Sequence, residues 1–249
     1  MALVPRPGFR LARIVAGVVL LPGLAQAQIP DKFTNLQILP KASTRDQVVE
    51  TMRGFATALG VRCNHCHVGS NPETLEGFDF ASDAKQAKRI ARVMLRMTQE
   101  INERLLPQMG REPEIKVQCI TCHHGLAQPE TLREVLAETV ATDGVDAALR
   151  YYRRLRSRYY GQSAYDFSAV TLHGLAEWLA DARKDLDGAI VVQRFNVETN
   201  PGIASSHSLL ADLYVRKGDR ASARTSFQRA AELEPANEYF RKRLEELSR

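Results

Sequence analysis

The sequence predicts an all-α protein in two parts, a cysteine-bearing N-terminal module followed by a run of paired helices. Three observations predict it. Apolar residues recur at three- and four-residue spacings along most of the chain. Capping residues and glycines punctuate those runs where helices should start and stop. The stretch 205–235 spaces its small and aromatic residues as a repeated helix pair does. The chain has 249 residues, 44% hydrophobic and 25% charged, with 15 Gly and 11 Pro. That composition excludes collagen, a low-complexity tail and a wholly disordered chain.

Residues 1–27 read as a secretory signal. Arg6, Arg10 and Arg13 form a basic start, residues 14–21 are an apolar run, Pro22 and Gly23 break it, and Ala25-Gln26-Ala27 supplies small residues for cleavage before Gln28. A membrane anchor needs roughly 18 apolar residues, more than this run holds, so the mature chain is expected in the periplasm and soluble. The whole chain has 34 Lys+Arg against 29 Asp+Glu, formally +5. Without the three leader arginines the balance is 31 against 29, or +2, which leaves little ground for a nucleic-acid partner.

The elements follow in order. Thr44 with Gln47 three residues later makes a capping box. Val48, Met52, Phe55 and Leu59 lie on one helical face, and Gly60 stops the helix. Residues 68–81 read as a loop anchored by Phe78 and Phe80. Ser82 is expected to cap a longer helix striped by Ile90, Met94, Met97, Ile101 and Leu105, which Pro107 and Gly110 end.

Behind residue 128 the cysteines cease. Leu210-Ala211, Tyr214, Gly218, Ala223, Phe227, Ala230 and Pro235 fit the tetratricopeptide pattern, and Pro201 stands one 34-residue period before Pro235. The unit at 172–200 fits with a one-residue adjustment in its turn. A third helix pair turns at Asp143-Gly144, and residues 238–249 form a terminal helix. The expected domains are a leader at 1–27, a cysteine module at 28–128 and a repeat domain at 129–249.

Four cysteines stand in two pairs: Cys63-Asn64-His65-Cys66-His67 and Cys119-Ile120-Thr121-Cys122-His123. Both read C-x-x-C-H, the attachment signature of c-type haem. Two thiols at that spacing each add across one haem vinyl group, and the adjacent histidine reaches the iron from the proximal side. One zinc shared by both pairs would have to span the 52 residues of 68–118, far beyond a compact ribbon. A thioredoxin-like dithiol would need a strand–helix context. Two covalently attached haems are therefore expected, tethered by Cys63, Cys66, Cys119 and Cys122 and ligated by His67 and His123.

Each iron then has a sixth position. Met52 precedes the first motif on an apolar helix face, and Met94 and Met97 precede the second. Methionine opposite histidine raises the reduction potential and closes the iron to small molecules, which suits electron transfer.

On these residues, positions 31–127 resemble the haem-binding module of the cytochrome subunit of photosynthetic reaction centres. The resemblance lies in Asn35-Leu36-Gln37-Ile38-Leu39, in Thr51-Met52 and the first haem motif, and in Arg92-Val93-Met94-Leu95-Arg96-Met97-Thr98 with Ile101-Asn102 before the second. It implies Met52 as a ligand of the first iron and Met94 of the second, with Met97 as packing. The family subunit carries four haems and a lipid-anchored cysteine, whereas this chain has two motifs, no such cysteine, and His124 where a basic residue commonly follows the second motif. Those departures speak against a reaction centre as partner and for other redox proteins.

His124 reads as exposed or propionate-contacting, His65 as solvent-facing and Trp178 as core. His173 and His207, 34 residues apart, read as repeat periodicity. The run Arg150-Tyr151-Tyr152-Arg153-Arg154-Leu155-Arg156-Ser157-Arg158 interleaves basic and aromatic residues. Ala148, Tyr151, Tyr152, Leu155 and Tyr159 make a buried stripe there and leave the arginines as a solvated face, with docking of an acidic partner as the functional alternative. The expected function is a dihaem c-type cytochrome moving single electrons, with the repeats offering a docking surface. A dihaem enzyme of peroxidase type and a repeat scaffold are the rivals. No catalytic acid–base group is identifiable, so a carrier rather than an enzyme is expected.

Overall fold

The computed structural model describes residues 29–110 and 115–248; the leader reading lies outside the described residues. The protein is all-α. Among the described residues the extended pairing is a single isolated bridge between Val68 and Asp79.

Helix α1 (Arg45–Leu59) starts where the capping box placed it. The Gln47 N–H donates to the Thr44 hydroxyl at 3.3 Å, and the Thr44 N–H donates to the Gln47 side-chain oxygen at 2.9 Å. Gly60 ends it in the left-handed region at φ +64°. Helix α2 (Gln86–Glu100) has Lys85 at its cap position and so begins three residues later than expected. Ser82 does not cap it: Asp79 Oδ1 accepts the N–H groups of Ala81 and Ser82 at 2.9 and 2.8 Å, and Ser82 Oγ accepts the Ala84 N–H at 3.2 Å. These local bonds hold residues 79–84 in a turn that competes with helix. The C-terminal end of α2 widens into a π-turn over Ile101–Leu105, then tightens into a 3-10 turn over Leu106–Met109 that stops at Gly110, φ +58°.

After the five-residue helix α3 (Cys119–His123) come the helix pairs α4 (Leu132–Asp143) with α5 (Val145–Tyr159), α6 (Ala169–Asp181) with α7 (Leu186–Thr199), and α8 (Ala204–Lys217) with α9 (Arg220–Leu233). Helix α10 (Glu238–Ser248) packs on α9. Leu136, Tyr152, Leu172, Leu175, Val192 and Leu213 form one continuous core across α4–α8, and Phe227, Ala211, Ala230 and Phe240 form a second. Ala211, Ala223 and Ala230 are fully buried, as the close approach of two antiparallel helices requires.

The expected one-residue adjustment is visible in the turns. Asp185 and Asp219, 34 apart, each cap a second helix through a side-chain oxygen. The first helices start 35 apart, at Ala169 and Ala204. This corrects the reading of the two histidines. The extra residue puts Leu172, not His173, in register with His207. His207 is buried with Nε2 3.0 Å from the Pro201 carbonyl, whereas His173 is half-buried and 3.5 Å from Glu177. Trp178 is half-buried, packed against the first core with Arg183 over its ring.

Candidate haem sites

The first motif winds onto a 3-10 turn, Cys63–His65, directly behind the Gly60 stop. The His67 N–H donates to the Cys63 carbonyl at 3.0 Å and the His65 N–H to the Arg62 carbonyl at 2.9 Å, so both thiols and the imidazole leave one tight coil of backbone. Cys63 is exposed and Cys66 half-buried. Lys85, just ahead of α2, donates its ammonium to the Asn64 carbonyl inside the motif.

The loop behind the motif doubles back. The Asp79 N–H donates to the Val68 carbonyl at 2.9 Å, which returns Phe80 to His67 with ring centroids 5.1 Å apart, edge on, and Phe78 beside it at 5.5 Å. Both predicted anchors thus serve the site. Burial depresses the His67 pKa, with the nearby Lys88 cation adding to the effect, and burial pushes the Cys66 thiol up. His67 Nδ1 is buried without a hydrogen-bond partner.

The second motif is α3 itself. The Gln118 N–H donates to the Thr121 hydroxyl at 3.1 Å at its start, and His124 in the left-handed region, φ +49°, closes it. His123 Nδ1 lies 2.8 Å from the Leu126 carbonyl. A carbonyl only accepts, so Nδ1 carries the hydrogen, and in the neutral ring Nε2 keeps its lone pair for a metal. Burial raises the Cys119 thiol pKa. Leu126 is buried, and the Gly125 N–H donates to the Ala58 carbonyl of α1 at 2.9 Å. This joins the end of the second motif to the helix that precedes the first.

Helix α2 contains no buried residue. Ile90, Val93, Met94 and Met97, with Leu105 and Met109 beyond it, are each more than a third exposed. Met94 and Met97 are presented alike, at 39% and 47% exposure. An apolar stripe of that extent marks a surface made to be covered, and the imidazole, thiol and thioether groups this part of the chain carries are the donor set of a c-type haem site. Met52 sits half-buried on α1. All four cysteines are free thiols, and no cluster of three or more His, Cys, Asp or Glu that could hold a metal ion is found among the described residues.

Two supports lay outside the sequence reading. Asn102, in the π-turn, grips the backbone of Val117 with its whole amide: Nδ2 donates to the Val117 carbonyl at 2.8 Å and Oδ1 accepts the Val117 N–H at 2.7 Å. Asp83 accepts from Arg92 at 2.7 Å, Asn35 at 3.0 Å and Gln37 at 3.3 Å, and pairs with Lys88 at 3.2 Å. That network ties the segment ahead of α1 to the first turns of α2.

An all-α chain carrying two such Cys-x-x-Cys-His coils belongs to the c-type cytochrome class. The family described as photosynthetic reaction centre cytochrome C subunit matches residues 24–184, well over half of the sequence and through α6. The chain belongs to that family, whose cofactor is covalently attached c-type haem. It is similar to the photosynthetic reaction center cytochrome c subunit of Roseobacter denitrificans, 29% identical over 170 residues, covering 65% of this chain and 44% of that protein. It is also similar to cytochrome c-554 of Chloroflexus aurantiacus, 31% identical over 102 residues, covering 41% of this chain and 23% of that protein. The chain thus spans less than half the length of these curated relatives. Among solved structures, PcrH from Pseudomonas aeruginosa aligns with 47% of this chain and 89% of its own at a TM-score of 0.33 and 15% identity, too weak a likeness to carry an argument. No helix among the described residues is long and apolar enough to cross a membrane.

Proposed function

We propose that the chain is an exported dihaem c-type cytochrome that carries single electrons between redox proteins, with the helix pairs behind residue 128 as the surface on which a partner docks. In this reading Cys63 and Cys66 tether the first haem and Cys119 and Cys122 the second, His67 and His123 are the proximal ligands, and Met52 and Met94 the distal ones. Each haem, when bound, supplies a one-electron iron couple.

The chain's own residues do the rest. The two thiols of each coil fix position, and the histidine on the same coil fixes orientation. Covered by a bound haem, the α2 stripe would keep water from its surroundings and lower the cost of charge rearrangement on electron transfer. With haem bound, the thioethers of Met52 and Met94 would fill the position opposite each histidine, which suits a carrier of electrons. The observation that carries the proposal is His123: its Nδ1 is tied to the Leu126 carbonyl, so the ring is held with Nε2 available beside two thiols of the same turn.

A pyridine haemochrome assay with mass spectrometry of the mature protein tests it. Two haems, with the mass of a chain starting at Gln28, are expected. Loss of one haem is expected on replacing Cys119 and Cys122 by Ser, and of the other on replacing Cys63 and Cys66. A polypeptide weighing no more than its amino acids after expression with haem-maturation machinery overturns the proposal. Replacing Met52, Met94 and Met97 one at a time and recording the methionine–iron charge-transfer band assigns the sixth ligands.

A further inference from the structure

Helix α5 carries a ladder of guanidinium groups that the protein itself leaves without counter-ions. Arg150, Arg153, Arg154 and Arg158 are exposed, and none of them forms an ion pair among the described residues. Several cations on the later helices do have such partners: Arg216 pairs with Asp181 at 2.9 Å, Arg229 with Glu232 at 3.0 Å, Lys217 with Asp187, and Arg243 with both Asp212 and Glu246. The only acid within α5 is Asp146, in its first turn.

The ladder is also stiff. Arg153 stacks 4.6 Å from the centre of the Phe195 ring, Arg154 5.0 Å from Tyr151 and Arg158 5.1 Å from Tyr159. A guanidinium stacked through its face keeps its in-plane N–H fork for carboxylates and has little side-chain entropy left to lose on binding one. Beside the ladder, a cavity of about 160 Å³ between α5 and α7 is lined by Leu149, Arg153, Val191, Arg194, Phe195 and Glu198. It shares Arg194 and Glu198 with a larger one of about 400 Å³ reaching Leu210 and Tyr214. Glu198 is the one carboxylate lining either cavity.

We propose that the α5 ladder and this groove form the docking site for an acidic face of a partner protein, its carboxylates on Arg150, Arg153, Arg154 and Arg158 and an apolar side chain on the Leu149–Val191 floor. The inference rests on the docking role proposed above and gives it a place and a charge. Single-stranded nucleic acid fits poorly, because the ring faces on which bases would stack are covered by the protein's own arginines.

The test uses the full haem-loaded chain and a short poly-glutamate peptide as the probe. One variant changes Arg150, Arg153, Arg154 and Arg158 to Gln. A control removes the same charge elsewhere through Arg216→Gln, Lys217→Gln, Arg229→Gln and Arg241→Gln. Circular dichroism verifies that both fold. The α5 variant is expected to lose about tenfold in affinity at low salt and to show a flatter salt dependence, and the control to stay within about twofold. Equal loss in both variants overturns the inference, because net charge would then suffice, and so does binding to anionic phospholipid vesicles in preference to the peptide. Haem content, measured on the same samples, decides the electron-carrier proposal separately.

Discussion

Gly60 and Gly125 meet backbone to backbone: a Cβ on Gly60 would overlap the carbonyl oxygen of Gly125, and the Gly125 N–H donates to Ala58 at 2.9 Å. The glycine that stops α1 therefore also lets the end of the second Cys-x-x-Cys-His coil close onto the helix ahead of the first. Gly60→Ala is expected to lose about 1–2 kcal/mol for an L-residue in the left-handed region, and more for the overlap, since backbone has no flexible end to move aside. Gly54, inside α1 with open space around it, is the control. Gly54→Ala should gain about 0.5–1 kcal/mol. Thermal unfolding of the two variants checks both signs, and equal melting temperatures would show that the contact is dispensable.

Asn102 holds Val117 two residues before Cys119, so its removal should act on the second site and spare the first. Asn102→Ala leaves the Val117 N–H and carbonyl without partners, a cost of about 1–3 kcal/mol. Asn102→Asp keeps the acceptor for the N–H but sets a carboxylate against the carbonyl, and should be no better. Mass spectrometry of haem peptides after digestion is the readout. Lower occupancy at Cys119/Cys122 with full occupancy at Cys63/Cys66 is expected, and equal loss at both would mean a general folding defect.

What was legible in the sequence shares one property, which is that its cause is local. The Thr44–Gln47 box, the Gly60 stop and the Asp143-Gly144 turn each depend on residues within one helical turn of one another. Ser82 misled because Asp79, three residues earlier, competes for its N–H. The bonds of Asn102 and Lys85 went unread because their partners, Val117 and Asn64, lie 15 and 21 residues away and are backbone atoms, which leave no mark on side-chain patterning. The histidines misled through a fixed period of 34 that the turn at 182–185 breaks by one.

Buried amides replace hydrocarbon in one repeat. Asn196 and Gln193 occupy the positions of Ala230 and Phe227, one period on, and both are fully buried. Asn196 donates to the Ala169 carbonyl at 2.9 Å and accepts from Asn200 at 2.9 Å, while Gln193 donates to the Ser206 carbonyl at 2.7 Å. Asn196→Ala puts into α7 the residue α9 already has, yet it should cost about 1–3 kcal/mol because the Ala169 and Asn200 groups lose their partner. A urea midpoint unchanged by this substitution would show that water replaces the amide.

Asp83 makes stability depend on acid. The hydrogen bond from Arg92, then that from Asn35, and then Lys88 hold its carboxyl well below the usual carboxylate range. A group depressed in the folded state contributes stability that is complete above its unfolded pKa of about 3.9 and is lost as pH falls through the folded value. Protonation would also leave Lys88 and Arg92, 11% and 12% exposed, side by side without their shared anion. The melting temperature should therefore hold above about pH 5 and fall below about pH 4. Asp83→Asn should be less stable than the parent near neutral pH, with the two curves converging at the acid end. Parallel curves throughout would place the acid sensitivity elsewhere, because a carboxylate that drives the fall cannot be removed without flattening it.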